Sequence, residues 1–405
     1  MLKKIFYFFA LLGPLLSENF YAPTLFNIKI PTIFYLTIFL FYFLFGNKEY
    51  TYQLLTKNIV AKFMLAYLFI LIINNAFIVG KLFWRMDEYS NVLWLSTLKR
   101  VLFVVLIFWV FDKPKEVIKL FMFYLGGIFL SALAAYLQML VLHHGIFSSS
   151  DISSNEGYLR ATGFYDNPNE FGFSIVVLLS ISIYQYIKTK NRYFLLLGLF
   201  LLYPLFASYS RDAWLAMAIT IFSMIFILGK NFDKKKIILL LIVFCCLISL
   251  IILNVPVLKD RLLLTFQGGD NSLAARFITI YFAFFAWLKA PLWGIGAYQS
   301  AILFPGNITI HNFYLHSLFE TGIIGFIITS LFLFYVIQQY YKFHKSNIMK
   351  KYERDFSSIA VIILISYYSF IFLGNHIQNE IFWILIAIQL VIYKNTRLIL
   401  NRRQV

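Results

Sequence analysis

The sequence predicts an all-α integral membrane protein of about twelve transmembrane helices, with a long periplasmic loop between spans nine and ten. Three observations lead there. Of 405 residues, 61% are hydrophobic and 13% charged, whereas a soluble domain carries roughly 25% charged residues. Apolar runs approaching span length, about 20 residues, recur along the whole chain, so residues 1–405 form a single polytopic domain. Those runs do not alternate polar and apolar at every residue, which excludes an outer-membrane barrel. The same composition excludes a soluble enzyme and a disordered or fibrous chain.

The spans are expected at about 5–20, 31–46, 58–80, 93–111, 120–142, 173–187, 193–209, 212–229, 237–254, 321–341, 356–373 and 381–393. The first follows Lys3 and Lys4 and has no clear small-residue cleavage site, so it reads as a span and not as a signal peptide. The net charge of +17 would suggest nucleic acid in a soluble protein. In a polytopic protein, Lys and Arg collect in cytoplasmic loops, and no nucleic-acid partner is expected. The segments 1–4, 47–57, 112–119, 188–192, 230–236, 342–355 and 394–405 hold 23 of the 35 basic residues. That asymmetry places both termini in the cytoplasm. Labelling with a thiol reagent that cannot cross the inner membrane checks this: a Ser154→Cys variant is expected to react in intact spheroplasts. Reaction only after the membrane is opened would reverse the orientation.

Two outer segments, 143–172 and 255–320, are longer than connectors need to be, and long ordered loops are usually functional. Both are expected in the periplasm, forming the active-site region. Within the second, Ser272 to Leu288 reads as an amphipathic or re-entrant helix. The chain has no GxxxxGK[ST], no HExxH and no Cys/His metal spacing. Neither metal nor cofactor is expected. Cys245 and Cys246 are adjacent in an apolar run and read as lipid- or core-facing filler.

What remains is an outward set of arginines and histidines. Arg211 lies in "SYSRDAWLA" at a tight turn between two spans. It is either a snorkelling anchor paired with Asp212 or an anion clamp, because the guanidinium fork matches phosphate oxygens. Arg160 and Arg276 lie in the two long outer segments. His311 and His316 are five apart and do not share a helical face as an i, i+4 pair would. Lys62, Lys99 and Arg100 are charges inside spans, without an assigned role.

Together these residues resemble the O-antigen ligase and polymerase superfamily of bacterial envelope glycosyltransferases. His311-Asn312, nine residues, then Gly322-Ile323-Ile324-Gly325 resembles that family's His-[Asn/Ser/Gln]-x9-Gly-x-x-Gly pattern, with Glu320 in the usual acidic place. "SRDAWLA" is similar to its Ser-Arg-Gly turn, with Asp212 in place of glycine. "RATGFYDNPNEFG" resembles its Arg-x-x-Gly-Phe-x-x-Asn-Pro-Asn segment, and "ARFITIYFAFFAWLKAPLWGIG" its Arg-led helix ending in Pro-x-x-Gly-x-Gly.

The resemblance implies a metal-independent, inverting glycosyltransferase in the bacterial inner membrane. It would move a glycan from an undecaprenyl diphosphate lipid to lipid A-core on the periplasmic face. The alternative is an O-antigen polymerase that extends lipid-linked repeat units. A protein O-oligosaccharyltransferase and a polysaccharide lipid transporter stand further back. The partners are thus a lipid-linked donor, a lipid A-core or lipid-linked acceptor, and membrane lipids. The implied roles are His311 as catalytic base, with Arg211, Arg276 and Arg160 on the donor diphosphate. Asn312, His316, Glu320 and Asn169 would orient the base or contact the acceptor, and Gly322 and Gly325 would let helices pack closely.

Overall fold

The computed structural model describes residues 2–12, 24–25, 28–29, 56–77, 92–142, 159–165, 167–228, 234–254, 259, 271–296, 310–374 and 379–403. Among these the regular structure is helical, apart from a two-residue ladder pairing Thr24–Leu25 with Ile28–Lys29. The helices are α1 (Leu2–Leu11), α2 (Ile59–Phe77), α3 (Val92–Val110), α4 (Pro114–Leu137), α5 (Pro168–Thr189) and α6 (Arg192–Ala207). There follow α7 (Arg211–Ile227), α8 (Lys234–Asn254), α9 (Asn271–Trp287), α10 (Phe313–Lys345), α11 (Lys351–Leu373) and α12 (Glu380–Arg403). A π turn, Gln138–Leu142, continues α4.

Five of these are long and apolar enough to cross a membrane: Pro114–Leu142, Pro168–Thr189, Phe313–Lys345, Lys351–Leu373 and Glu380–Leu398. The protein is therefore a multi-pass membrane protein. The span expected at 31–46 lies outside the described residues. The helix expected from Ser272 is α9. Several boundaries shift, and two of the shifts bear on the site. Residues 313–320, expected in a loop, are the first turns of α10, and 168–172 begin α5. Hydropathy reads the polar His316 and Glu320 as loop, whereas the helix is started by a capping asparagine that hydropathy does not see.

The core sits where α10, α11, α12, α5 and α7 meet, around Trp383, Tyr340, Tyr367, Phe173 and Phe370. Lipid is as apolar as these side chains, so packing and interhelical hydrogen bonds hold the bundle. Thr220 on α7 donates to Ser366 on α11 (2.8 Å), Tyr340 on α10 to the Leu385 carbonyl (2.6 Å), and Gln389 on α12 to the Val336 carbonyl (3.0 Å). Large apolar side chains such as Phe69, Met122, Phe226 and Tyr281 are exposed, as a lipid-facing surface requires. Cys245 and Cys246 join that exposed set.

Several segments expected on the cytoplasmic side meet in pairs. Lys3 bonds Glu116 (2.6 Å), Lys394 bonds Asp112 (2.8 Å), and Lys188 pairs with Asp355. The starts of α5, α7, α10 and α12 and the ends of α4, α6 and α11 build the opposite end, where every candidate residue with described side-chain atoms lies.

Candidate active site

Two helix starts converge there. α5 is capped by Asn167, whose Oδ1 accepts from the Asn169 N–H (2.8 Å), with Pro168 at its first position, where no N–H is needed. α7 is capped by Ser210, whose Oγ accepts from the Ala213 N–H (3.2 Å). A Cβ at Gly172 would stand 2.8 Å from Ala213 Cβ and 2.9 Å from Ser208 Oγ. The missing side chain thus lets the first turns of α5 and α7 touch. Unpaired N–H groups and the helix dipoles make such starts favourable to anions. Arg211 is the first residue of α7 and half-buried; buried Asp212 follows, where an acid suits the dipole.

Arg160 ties the two starts together. Its Nε donates to the Ser208 carbonyl (3.0 Å), and one terminal nitrogen donates to Asn169 Oδ1 (3.0 Å) and the Tyr209 carbonyl (3.4 Å). Tyr209 holds a left-handed φ of 48° between two buried serines. Such a conformation in a non-glycine residue marks a turn set by its surroundings. Burial pushes the Tyr209 phenol above its usual range, as it does that of Tyr165, so both stay neutral. Asn169 therefore contacts Arg160, and Arg160 supports the α7 turn; the sequence reading has Arg160 on the donor diphosphate and Asn169 as an orienting or acceptor contact.

The second part of the site is a break in α10. Gly322 has φ 70° and ψ −174°, which divides the helix into 313–321 and 323–345. The freed backbone groups find partners in the segment after α9. Ile295 and Gly296 N–H donate to the Phe319 and Glu320 carbonyls (2.9 and 3.0 Å), and Ile323 N–H donates to the Pro291 carbonyl (3.0 Å). Asn74 on α2 adds its Nδ2, bonding the Trp293 carbonyl (2.6 Å) and the Glu320 carbonyl (3.1 Å). Interrupted helices persist at membrane depth only where such partners exist. The two glycine motifs of the sequence, 291–296 and 322–325, are thus the two faces of one contact. A Cβ at Gly322 would overlap the Leu292 carbonyl. Gly322→Ala is therefore expected to destabilise the protein by more than about 1–3 kcal/mol, the cost of a strained backbone alone. Thermal unfolding in detergent checks this. Gly325 lies against Thr321.

The short half-helix carries the histidines. His311 is exposed just before the cap, and Asn312 is the cap, its Oδ1 accepting from the Leu315 N–H (3.0 Å). His316 and Glu320 are buried, with Nε2 3.1 Å from Oε2. Glu320 therefore faces His316, and Asn312 holds backbone. The half-helix is fixed to the end of α11 by the Phe313 N–H on the Gly374 carbonyl (3.1 Å).

Arg276 falls in α9, but its side chain lies outside the described residues. Of the charges inside spans, Lys62 is exposed, and Arg100 is buried with its guanidinium on the Ser96 carbonyl (3.1 Å) and hydroxyl. Sequence reasoning missed Gly172 and Asn74. Gly172 could be found from its place one turn beyond the Asn-Pro-Asn cap; Asn74 in an apolar helix is a polar group that needs a partner. Among the described residues no three His, Cys, Asp or Glu side chains converge.

No curated protein matches the sequence. A family model described as O-antigen ligase matches residues 194–330, which span α6 to the broken start of α10 and include Arg211, Arg276 and His311. Over those residues, about a third of its length, the chain is similar to the O-antigen ligase family, the family that its motifs resemble.

Proposed function

We propose that the protein is an O-antigen ligase-type glycosyltransferase, moving a glycan from undecaprenyl diphosphate to a lipid A-core hydroxyl on the periplasmic face of the inner membrane. The observation that carries the reading is the convergence of two helix starts and Arg211, tied by Arg160, at the end of the bundle that also exposes His311. A diphosphate leaving group gains negative charge as the anomeric carbon–oxygen bond breaks. Fixed donors aimed at that charge are the strongest help a site can give. Arg211 and Arg276 supply it in place of a divalent ion.

His311 takes the proton of the acceptor hydroxyl as that oxygen bonds the anomeric carbon, and the lipid diphosphate leaves with the electron pair. Attack opposite the leaving group inverts the anomeric centre. Asn312 sets the level of His311 by capping α10, and the break at Gly322 fixes the half-helix that carries both. Exposure of His311 matches a base that must meet a large acceptor.

A deletion strain tests the assignment through its surface glycan. Loss of all polymer on lipid A, with long polymer still on undecaprenyl diphosphate, is the expected result. A single repeat unit still attached to the core would instead identify a polymerase.

A further inference from the structure

We infer that Gln138 is a positioning residue for the anion site, acting through the segment that carries Arg160. The inference rests on the donor-binding reading above. Gln138 opens the π turn at the end of α4 and is 1% exposed. Its amide holds three nearby residues of one short segment. Nε2 donates to the Arg160 carbonyl (3.2 Å), while Oε1 accepts from the N–H groups of Thr162 (3.0 Å) and Gly163 (3.2 Å).

Two turns earlier on the same face of α4, Ser131 Oγ accepts from the Phe164 N–H (2.9 Å). On the far side, the Ala161 N–H donates to the Ala207 carbonyl at the end of α6 (2.8 Å). The segment is thus strung between α4 and α6, and Gly163, with φ 55°, passes where a Cβ would overlap Ser131. From that string the Arg160 side chain reaches Ser208, Tyr209 and Asn169, the groups that set both helix starts.

The chemistry at position 138 is selective. It needs a donor and an acceptor in one short side chain, which an amide has and a carboxylate or thioether lacks. Buried segments with unpaired N–H groups do not hold one geometry. π turns are also frequent at functional sites. Gln138 lies outside every motif that pointed to the family and outside the matched residues 194–330.

The test is a double-mutant cycle on the purified full-length protein, with undecaprenyl diphosphate as the probe. Gln138→Met and Arg160→Ala are each expected to weaken binding about tenfold, the worth of one charge-assisted contact. Their combination should be no weaker than Arg160→Ala alone, because Gln138 acts through Arg160. Gln138→Glu keeps acceptance from Thr162 and Gly163 but sets a carboxylate oxygen, with no proton to donate, against the Arg160 carbonyl, so it should also fall below native affinity. It carries the test if the methionine variant does not fold. Native affinity in both Gln138 variants, or losses that multiply in the double variant, would overturn the inference. Absence of binding by the unmutated protein would instead remove the donor reading on which it rests.

Discussion

Replacing Arg211 with alanine is expected to abolish glycan transfer while the protein remains folded and inserted. Arg211 is the first residue of α7 and half-buried; the cap that holds this helix start is Ser210, and the contact that seats it is Gly172 against Ala213. Neither needs the guanidinium. Removing one preorganised donor to a developing anion costs about 10²–10³-fold in rate, and a fixed positive charge beside two helix starts adds to that. Arg211→Lys restores charge without the two-pronged geometry, so it should recover only part of the activity. The measurement is transfer by purified protein from a lipid-linked donor, together with a thermal unfolding curve for each variant. Full turnover by Arg211→Ala would take this arginine out of the diphosphate site. A collapse of stability in that variant would show it to be the structural anchor that Arg160 is.

Arg160 is the contrasting case. Three of its hydrogen bonds go to protein oxygens, two of them backbone carbonyls. Its loss should therefore lower stability and activity together, and the unfolding curve of Arg160→Ala beside its turnover checks this.

The membrane class of the protein and the candidate residues that gather at one end of the bundle were legible in the sequence for a simple reason. Apolar length is a property of composition, and charged or imidazole side chains near span ends are conspicuous against it. Arg160, Arg211, Asn169, Asn312 and Glu320 all lie at the same end of the bundle. What the sequence does not display is the partner of each. Glu320 reads as a group that orients the base or contacts the acceptor. In the fold, i and i+4 share a helical face, and Glu320 meets His316. Asn312 reads as an orienting group or an acceptor contact, and the fold adds a cap, a role written in its position before an apolar helix. The glycines were expected to permit close helix packing. Gly322 does more, because its backbone breaks the helix and exchanges hydrogen bonds with 291–296. That exchange joins segments about 30 residues apart through atoms every residue has, so no side-chain pattern announces it. Gln138 and Asn74 differ again. Polarity inside an apolar run marks Gln138 and the Asn74-Asn75 pair as needing partners, but which partner depends on the segment that lies across each.

His311, and not His316, is expected to be the residue whose loss removes the chemical step. A general base contributes about 10²–10⁴-fold in rate, and His311→Ala should cost that much in kcat. Because His311 is exposed and the cap of α10 is the neighbouring Asn312, the same substitution should leave unfolding temperature and donor binding nearly unchanged. His316 behaves differently on physical grounds. Its ring is buried against a fully buried carboxylate at 3.1 Å, and the carbonyl of that same Glu320 accepts from Gly296 and Asn74 across the helix break. Truncating it leaves a cavity and removes the ring that faces the buried Glu320 carboxyl group, a polar group that is costly to bury without a partner. His316→Ala should therefore lower stability first and activity only as the half-helix loosens. His316→Gln, which keeps a donor of similar reach, should recover much of both. The base must be neutral to accept a proton, so the His311-dependent rate should fall as the medium is made more acidic. Turnover is measured with purified protein, donor, acceptor and a chelator, beside unfolding curves for all three variants. Near-normal turnover by His311→Ala would end the base assignment. A stable but inactive His316→Ala would move it to the buried pair. Loss of native turnover with chelator, restored by a divalent ion, would show that the arginines do not neutralise the leaving diphosphate alone.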